Sequence, residues 1–366
     1  MMPNQNKVAV AMSGGIDSSV TAFLLKRIGY EVVGVTMHLY DEIGDDGLPR
    51  PQKEIFQARK AAESLGIPHH VADFRPVFDW VVKSPFAKAY AEGRTPNPCM
   101  ECNKQIKYGK LLEYAMEIGA YYLATGHYAS VEFDEQLKRY RLYCAKAENK
   151  DQSYLLNGLG QGQLSHLLLP LGDVLSKDQV RETALEMGIY SADKKDSKDI
   201  CFVTGKNYID FVETRIPKAA ISGEFVDTEG NVLGMHNGIA RYTIGQRKGL
   251  GHTFDRRYYV VSIDSEKNRV VLGEDSETYA SEIHVGKVNL IPFDELQLPI
   301  KAKVRICQWG WLLEARIFPE NGKGARVVFD KPERAPAPGQ WAVFYRDGEV
   351  LGGGIIKKVI REKSNE

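Results

Sequence analysis

"KVAVAMSGGIDSSVTAFLLKRIGY", Lys7 to Tyr30, begins as a short apolar run and turns at once into a loop of small residues. Val8 to Met12 carries the signal of a buried strand, and SSVTAFLLKRIG reads as a helix that stops at Gly29. Between them Gly14 and Gly15 let the backbone come close to a ligand, and Ser13, Asp17 and Ser18 crowd polar groups around it. The helix start adds amides without intrahelical partners and a partial positive charge. Strand, glycine loop and helix N-terminus in that order suit a phosphate group.

Other nucleotide signatures are absent. No G-x-x-x-x-G-K-[ST] occurs, GLGQGQ at Gly158 lacks the dinucleotide-binding spacing, and LGGGIIKK near the end precedes no helix. What remains, SGGIDS, resembles the loop of the ATP pyrophosphatases, which cleave ATP to AMP and pyrophosphate and use the AMP to activate a carbonyl oxygen. That loop alone names no substrate.

The chain has 366 residues, enough for two or three domains, and 43 % of them are hydrophobic. Lysine plus arginine equals aspartate plus glutamate, 48 against 48, so any nucleic-acid surface must be a local patch. No apolar run reaches the ~20 residues of a membrane helix, and because MMPNQNK leads straight into a strand, no secretory or mitochondrial presequence is expected. Five cysteines in this length are no disulfide scaffold; they suit a reducing cytoplasm, the expected location.

Along the first third, strands and helices alternate: EVVGVTM, KEIFQARKAAESLG, HHVADF, VFDWVVKSPFAKAYAEG, CNKQIKYGKLLEYAMEIGA and YYLATGHYA. This predicts a doubly wound parallel sheet, with ligands beyond the carboxyl ends of its strands. Ser13 to Ser18, Met37, Gly126 and His127 all fall there. A helix, KDQVRETALEMGIY, and a charged loop, SADKKDSKDI, follow. The texture then changes to short alternating strands with glycine turns, a small central β domain, and after Ser281 to about six strands that predict an antiparallel β-barrel. The expected domains are 1–207, 208–280 and 281–366.

Cys99 and Cys102 lie in RTPNPCMECNKQIKYG. Zinc needs four ligands, and neither a second C-x-x-C nor a nearby histidine pair accompanies them, which leaves thiol chemistry. The helical pattern starts near Asn103, so Cys102 is expected at the helix start, with Lys104 and Lys107 nearby to lower its pKa. Cys201 follows a loop bearing Lys194, Lys195 and Lys198, and such a loop can bring its thiol to the first pair.

At this point the chain closely resembles the tRNA-specific 2-thiouridylases, through AMSGGIDSSV, GRTPNPCMECNKQIKYG, ATGHYA, KDQSYLL, DSKDICF, GEFVDTEGNVLG, YTIGQRKGLG and PGQWAVFY in one order. The resemblance implies an adenine-nucleotide alpha-hydrolase-like first domain and ATP-dependent thiolation of the wobble uridine of lysine-, glutamate- and glutamine-type tRNAs. Sulfur would come from a cysteine desulfurase or a persulfide carrier protein. It implies an ATP site at Ala11, Met12, Ser13, Gly14, Gly15, Ile16, Asp17, Ser18, Met37 and Gly126, with Asp17 holding Mg²⁺. Cys102 matches the family's nucleophile and Cys201 its persulfide carrier, the two joining in a transient disulfide. Asn97, Pro98 and Cys99 match the target-base segment; His127, Lys150, Asp151, Gln152, Arg305, Ile306 and Gln340 match tRNA contacts. Where the family usually reads R-Y-R, this chain has Arg305-Ile306-Cys307, and barrel packing explains Ile306 and Cys307 as well as contact does. The competing class is a small-molecule ligase with the same loop, forming GMP or argininosuccinate; it has no need of two separated cysteines or a terminal barrel.

Overall fold

The computed structural model describes residues 4–44, 46–188, 200–203, 207–254 and 256–361. Lys194, Lys195 and Lys198 lie outside them. The chain forms two compact units: Met1–Val81, Cys99–Thr204 and Asp347–Leu351 make the first; Val82–Pro98, Gly205–Arg346 and Gly352–Glu366 make the second.

The first unit is built on a parallel sheet in the order His69–Asp73, Glu31–His38, Asn4–Ala11, Ala120–Ala124, Leu167–Leu168. Val8, Ala9 and Val10 are all fully buried, so the central strand is covered on both faces, as a continuous apolar run requires. Val8, Val10, Met12 and Val32 pack with Ala22 and Leu25 of the helix Ile16–Arg27 and with Ala58 and Ala62 of the helix Lys53–Leu65. The latter helix stops where Gly66 turns left-handed at φ 60°, and the amides of Gly66 and Ile67 donate to Glu63 and Ala62.

Two local expectations fail for identifiable reasons. The apolar stretch YYLATGHYA is two strands: Ala120–Ala124 joins the parallel sheet, while Ala129–Asp134 pairs antiparallel with Arg139–Cys144. The break falls where Gly126 crosses the glycine loop. The signal for the hairpin was the alternation in VEFD and RYRLYC around a turn, where the Asp134 carboxylate accepts from the amides of Gln136 and Leu137. The stretch VFDWVVKSPFAKAYAEG is likewise divided into Arg75–Phe78, a π turn Asp79–Lys83, and Ser84–Ala91. Pro85 has no N–H for the carbonyl four residues back, and the ladder slips just before it. The helix Ser84–Ala91 belongs to the second unit, where Tyr90 packs on Tyr208 at 4.5 Å and Phe86 on Phe211 at 6.0 Å.

The second unit holds a four-stranded sheet in the order Val232–His236, Gly223–Val226, Arg269–Gly273, Tyr259–Asp264. It also holds a closed six-stranded antiparallel barrel, ordered Tyr279–Leu290, Gly324–Arg334, Leu313–Glu320, Ile300–Arg305, Trp341–Arg346, Glu349–Ile360, with the first and last strands paired. Phe225 is fully buried among Ile239, Tyr242, Val260, Val270 and Leu272. Phe225→Ala should therefore cost about 3–5 kcal/mol, read as an early unfolding transition in urea. Among the described residues, no helix is long and apolar enough to cross a membrane.

Candidate active site

The glycine loop joins the first strand to the helix Ile16–Arg27, with Gly15 as N-cap and no side chain capping the helix. Gly14 sits at φ +68°, and a Cβ there would lie 2.4 Å from Gln57 Cβ and 2.8 Å from the Ala58 amide. Its glycine is demanded both by conformation and by contact with the second helix. The Ser18 hydroxyl donates to the Gly15 carbonyl at 3.0 Å and accepts from the Ser13 amide at 3.2 Å, which folds the loop back on the helix start. Met12 is buried, and its carbonyl accepts from the Thr36 hydroxyl at 2.9 Å, tying the loop to the strand that ends in Met37 and His38. Gly126 closes the far side, where a Cβ would meet Asp17 at 2.9 Å. Ala11, Gly14, Gly15, Ile16, Asp17, Met37 and Gly126 are half-buried and Ser13 is exposed. First-turn amides with no intrahelical partner, above a close-packed glycine, fit a triphosphate.

Asp17 departs from expectation. Lys177 Nζ lies 2.6 Å from both of its carboxylate oxygens, and the Tyr128 hydroxyl donates to Oδ1 at 2.7 Å. Among the described residues, no group of three histidine, cysteine or acidic side chains is placed to hold a metal ion. A carboxylate whose two oxygens are engaged by an ammonium does not fit the role of Mg²⁺ ligand. In the structure it holds the Lys177 ammonium beside the loop. Sequence reading missed Lys177 and Tyr128; the signal for Lys177 was its place at the first position of a helix whose N-cap, Ser176, accepts from the Gln179 amide.

The cysteine segment also differs. Helical structure begins at Pro98, not Asn103: Pro98–Glu101 leads into a π helix, Cys102–Lys110, and then Leu111–Glu117. Proline suits a first helical position, so Cys99 stands in the first turn and Cys102 one turn inside. Asn97 is half-buried and Pro98 buried. The wide turns leave carbonyls for others: the Gln163 amide donates to Lys104 O at 3.0 Å and to Tyr108 O at 2.7 Å.

All five cysteines are free thiols. Burial pushes the Cys102 thiol up to about 11, against a smaller downward pull from Lys107, and it raises Cys99 as well. Cys201 is exposed as a residue, yet protein atoms around its sulfur, then the charges of Cys102 and Cys99, lift it to about 12. The expected lowering of Cys102 is thus reversed, because desolvation outweighs a lysine charge and the helix start lies elsewhere. The three thiols and Lys107 are nevertheless close enough to shift one another. Alkylation of Cys102 by iodoacetamide in the free protein should rise about tenfold per pH unit until near pH 11; a plateau below pH 9 would contradict this. Because folding raises both thiols above the unfolded value of about 8.5, their contribution to stability is complete below that pH and is lost as pH rises through 11 to 12.

His127 is buried, and its Nδ1 lies 2.8 Å from both the Tyr108 and Thr125 hydroxyls, which are also 2.8 Å apart. Burial, with Lys107 adding to it, drives its pKa well below the ordinary histidine value, so the ring is neutral. This network connects the cysteine helix to the strand end, and the next residue, Tyr128, reaches Asp17. The Asp151 carboxylate is taken up by the Ala145 and Ser153 amides and the Ser153 hydroxyl, and Gln152 Oε1 accepts from the Tyr128 amide. These atoms close the loop around half-buried Lys150. In the second unit the Ile306 side chain is largely buried, whereas Arg305 and Gln340 are half-buried and Cys307 is exposed.

Three family models match in order: a tRNA methyl transferase HUP domain over 6–205, a tRNA methyl transferase PRC-barrel domain over 209–274, and an aminomethyltransferase beta-barrel domain over 280–356. The fold and site thus define a chain of the HUP type extended by two β modules. Within that class it belongs to the tRNA-specific 2-thiouridylase family. It is 44 % identical over 360 residues to tRNA-specific 2-thiouridylase MnmA of Acetivibrio thermocellus, covering 97 % of this chain and 100 % of that protein. It is 47 % identical over 366 residues to MnmA 1 of Caldanaerobacter subterraneus subsp. tengcongensis, covering 98 % and 100 %. Among solved structures, a 4-thiouridine synthetase in complex with RNA and bound ATP overlaps 58 % of this chain and 50 % of its own, at 18 % identity and a TM-score of 0.34.

Proposed function

We propose that the chain adenylates the C2 carbonyl oxygen of a tRNA wobble uridine with ATP and then replaces that oxygen by sulfur, releasing pyrophosphate and AMP. The reading rests above all on one observation: Cys102 and Cys201, distant in sequence, lie in the unit that carries the glycine loop, near enough for one thiol to act on the other's charge. Membership of the 2-thiouridylase family along nearly the whole chain supports it. A small-molecule ligase has no use for such a thiol pair.

In this reading the loop amides and Lys177 meet the charge of the departing pyrophosphate. No step is assigned to a metal ion on Asp17. A persulfide on Cys201, loaded by a desulfurase or carrier protein, attacks C2 through its terminal sulfur and expels AMP. The Cys102 thiolate attacks Cys201 Sγ and cleaves the sulfur–sulfur bond, so the transferred sulfur is reduced while the two thiols are oxidised to a disulfide. A reductant restores them. Both thiols start protonated, so ionisation must accompany substrate binding, and Lys107 is the cation placed to assist it. Neutral His127 holds the cysteine helix against the nucleotide loop. The target base leaves its stack to reach the Asn97–Cys99 segment. The same reading takes 1–207, 208–280 and 281–366 as functional domains, supported by the bounds of the three family matches, and places the protein in the cytoplasm.

Pyrophosphate release measured with ATP, with and without unmodified tRNA, tests the reading, with 2-thiouridine scored by mass spectrometry when a persulfide donor is added. Release that needs tRNA supports it. Release on a small acid or amide without tRNA would overturn it.

A further inference from the structure

The barrel carries a surface that the chemistry above does not use. After the strand Ile300–Arg305 the chain makes a turn in which the Gly310 amide donates to the Cys307 carbonyl at 3.0 Å. A Cβ at residue 310 would sit 2.8 Å from Cys307 Sγ, so the turn packs closely on that side chain. On either side of Gly310 stand Trp309, 68 % exposed, and Trp311, 86 % exposed, followed by the partly exposed Leu312. Two indoles held in water on one short turn are a large apolar surface without a covering element.

What surrounds them selects the partner. Along the same strand Ala302 and Val304 face the core, so Lys301, Lys303 and Arg305 share the outer face. On the next strand Arg316 stands directly opposite Lys301, and Glu314, opposite Lys303, is bonded to it at 3.7 Å. The Arg346 guanidinium reaches the Lys301 carbonyl at 3.4 Å. The face therefore holds four cations, Lys301, Lys303, Arg305 and Arg316, against Glu314 and the neighbouring Asp330, and Lys301 and Arg316 oppose each other at a cost to the sheet. Glu333, the acid that acts on Cys307, is itself raised by burial. A cationic strand running into exposed aromatic rings fits an RNA, with phosphates on the lysines and arginines and unpaired bases on the indoles. A protein partner docking on the tryptophans would have to desolvate those cations.

We propose that Trp309 and Trp311 form a stacking platform for unpaired bases of the tRNA, aligned by the Lys301–Lys303–Arg305–Arg316 face. This rests on the reading of the protein as a tRNA-modifying enzyme and extends the barrel contact expected at Arg305 to the exposed turn that follows it.

The test is the affinity of labelled, unmodified tRNA for the full-length protein and for Trp309→Ala/Trp311→Ala, followed by pyrophosphate release at saturating tRNA. At the usual strength of base–aromatic stacking, the double alanine variant should weaken binding about tenfold or more. Its maximal release rate should be unchanged, so the loss falls on KM. Trp309→Phe/Trp311→Phe should restore most of the affinity, and Lys301→Gln/Lys303→Gln should flatten the salt dependence. Unchanged tRNA affinity in the double alanine variant overturns the platform, whether or not its oligomeric state shifts. A wild-type protein that binds no tRNA overturns the functional reading itself.

Discussion

Serine at Cys102 or at Cys201 is expected to abolish 2-thiouridine formation, by about a thousandfold or more, while tRNA-dependent pyrophosphate release continues. The first half of the reaction needs the nucleotide loop and the second needs the thiols, so each substitution should stop the chain of events after adenylation. Cys99→Ser separates the neighbours. Cys99 and Cys102 both act electrostatically on Cys201, and in the structure Cys99 is the one nearer the helix start. Proximity to unpaired amides therefore no longer singles out Cys102; the family match does. Cys99→Ser is expected to keep substantial activity, because the proposed function gives this position the shaping of the base pocket and not the carrying of sulfur. Mapping the disulfide after one turnover decides between them: a Cys99–Cys201 bond with Cys102 free would reverse the assignment. Lys107→Met should slow sulfur transfer with either outcome, since it removes the cation that opposes the effect of burial on Cys99, Cys102 and Cys201.

Asp17→Asn is expected to lower tRNA-dependent pyrophosphate release about a hundredfold, on the scale of losing one preorganised charge contact. It is also expected to destabilise the first unit by about 3 kcal/mol, because it removes the carboxylate charge paired with the largely buried Lys177 ammonium. These effects can be told apart. Asp17→Asn/Lys177→Met removes both partners, so it should regain most of the stability and none of the activity. Lys177→Met alone should match the double variant in rate, since aspartate and lysine act as one unit. Full pyrophosphate release by Asp17→Asn would sink the role given to the pair. Magnesium titration gives a further reading: a ligand role for Asp17 predicts that excess metal rescues the asparagine variant, whereas the ion pair predicts no rescue.

Much of the first unit was legible because its signals are local. The apolar run before Ser13, the glycines at 14 and 15 and the helix after them lie within a few residues, and their order alone describes a strand, a loop and a helix start. The closed barrel was legible from evenly spaced alternating strands. The hairpin Ala129–Cys144 was not, since one apolar stretch feeds both it and the parallel sheet and only pairing shows the break at Gly126. The helix of VFDWVVKSPFAKAYAEG read as continuous, although Pro85 marked its slip.

The site divides the same way. Sequence by itself determined which groups are present: a glycine loop, two separated cysteines, basic residues near each, and a family pattern that assigns them roles. It could not determine the charge those groups carry or the company they keep. Asp17 reads as a metal ligand until Lys177, 160 residues away, is found on both its oxygens. Cys102 reads as an acidic thiol until its helix starts at Pro98 and its sulfur is desolvated. His127 reads as a basic group until Tyr108 and Thr125 take up its Nδ1 and burial holds the ring neutral. Residue type and order are local properties of the chain. Ionisation and pairing depend on which distant atoms replace water around a group, and only the tertiary structure decides that.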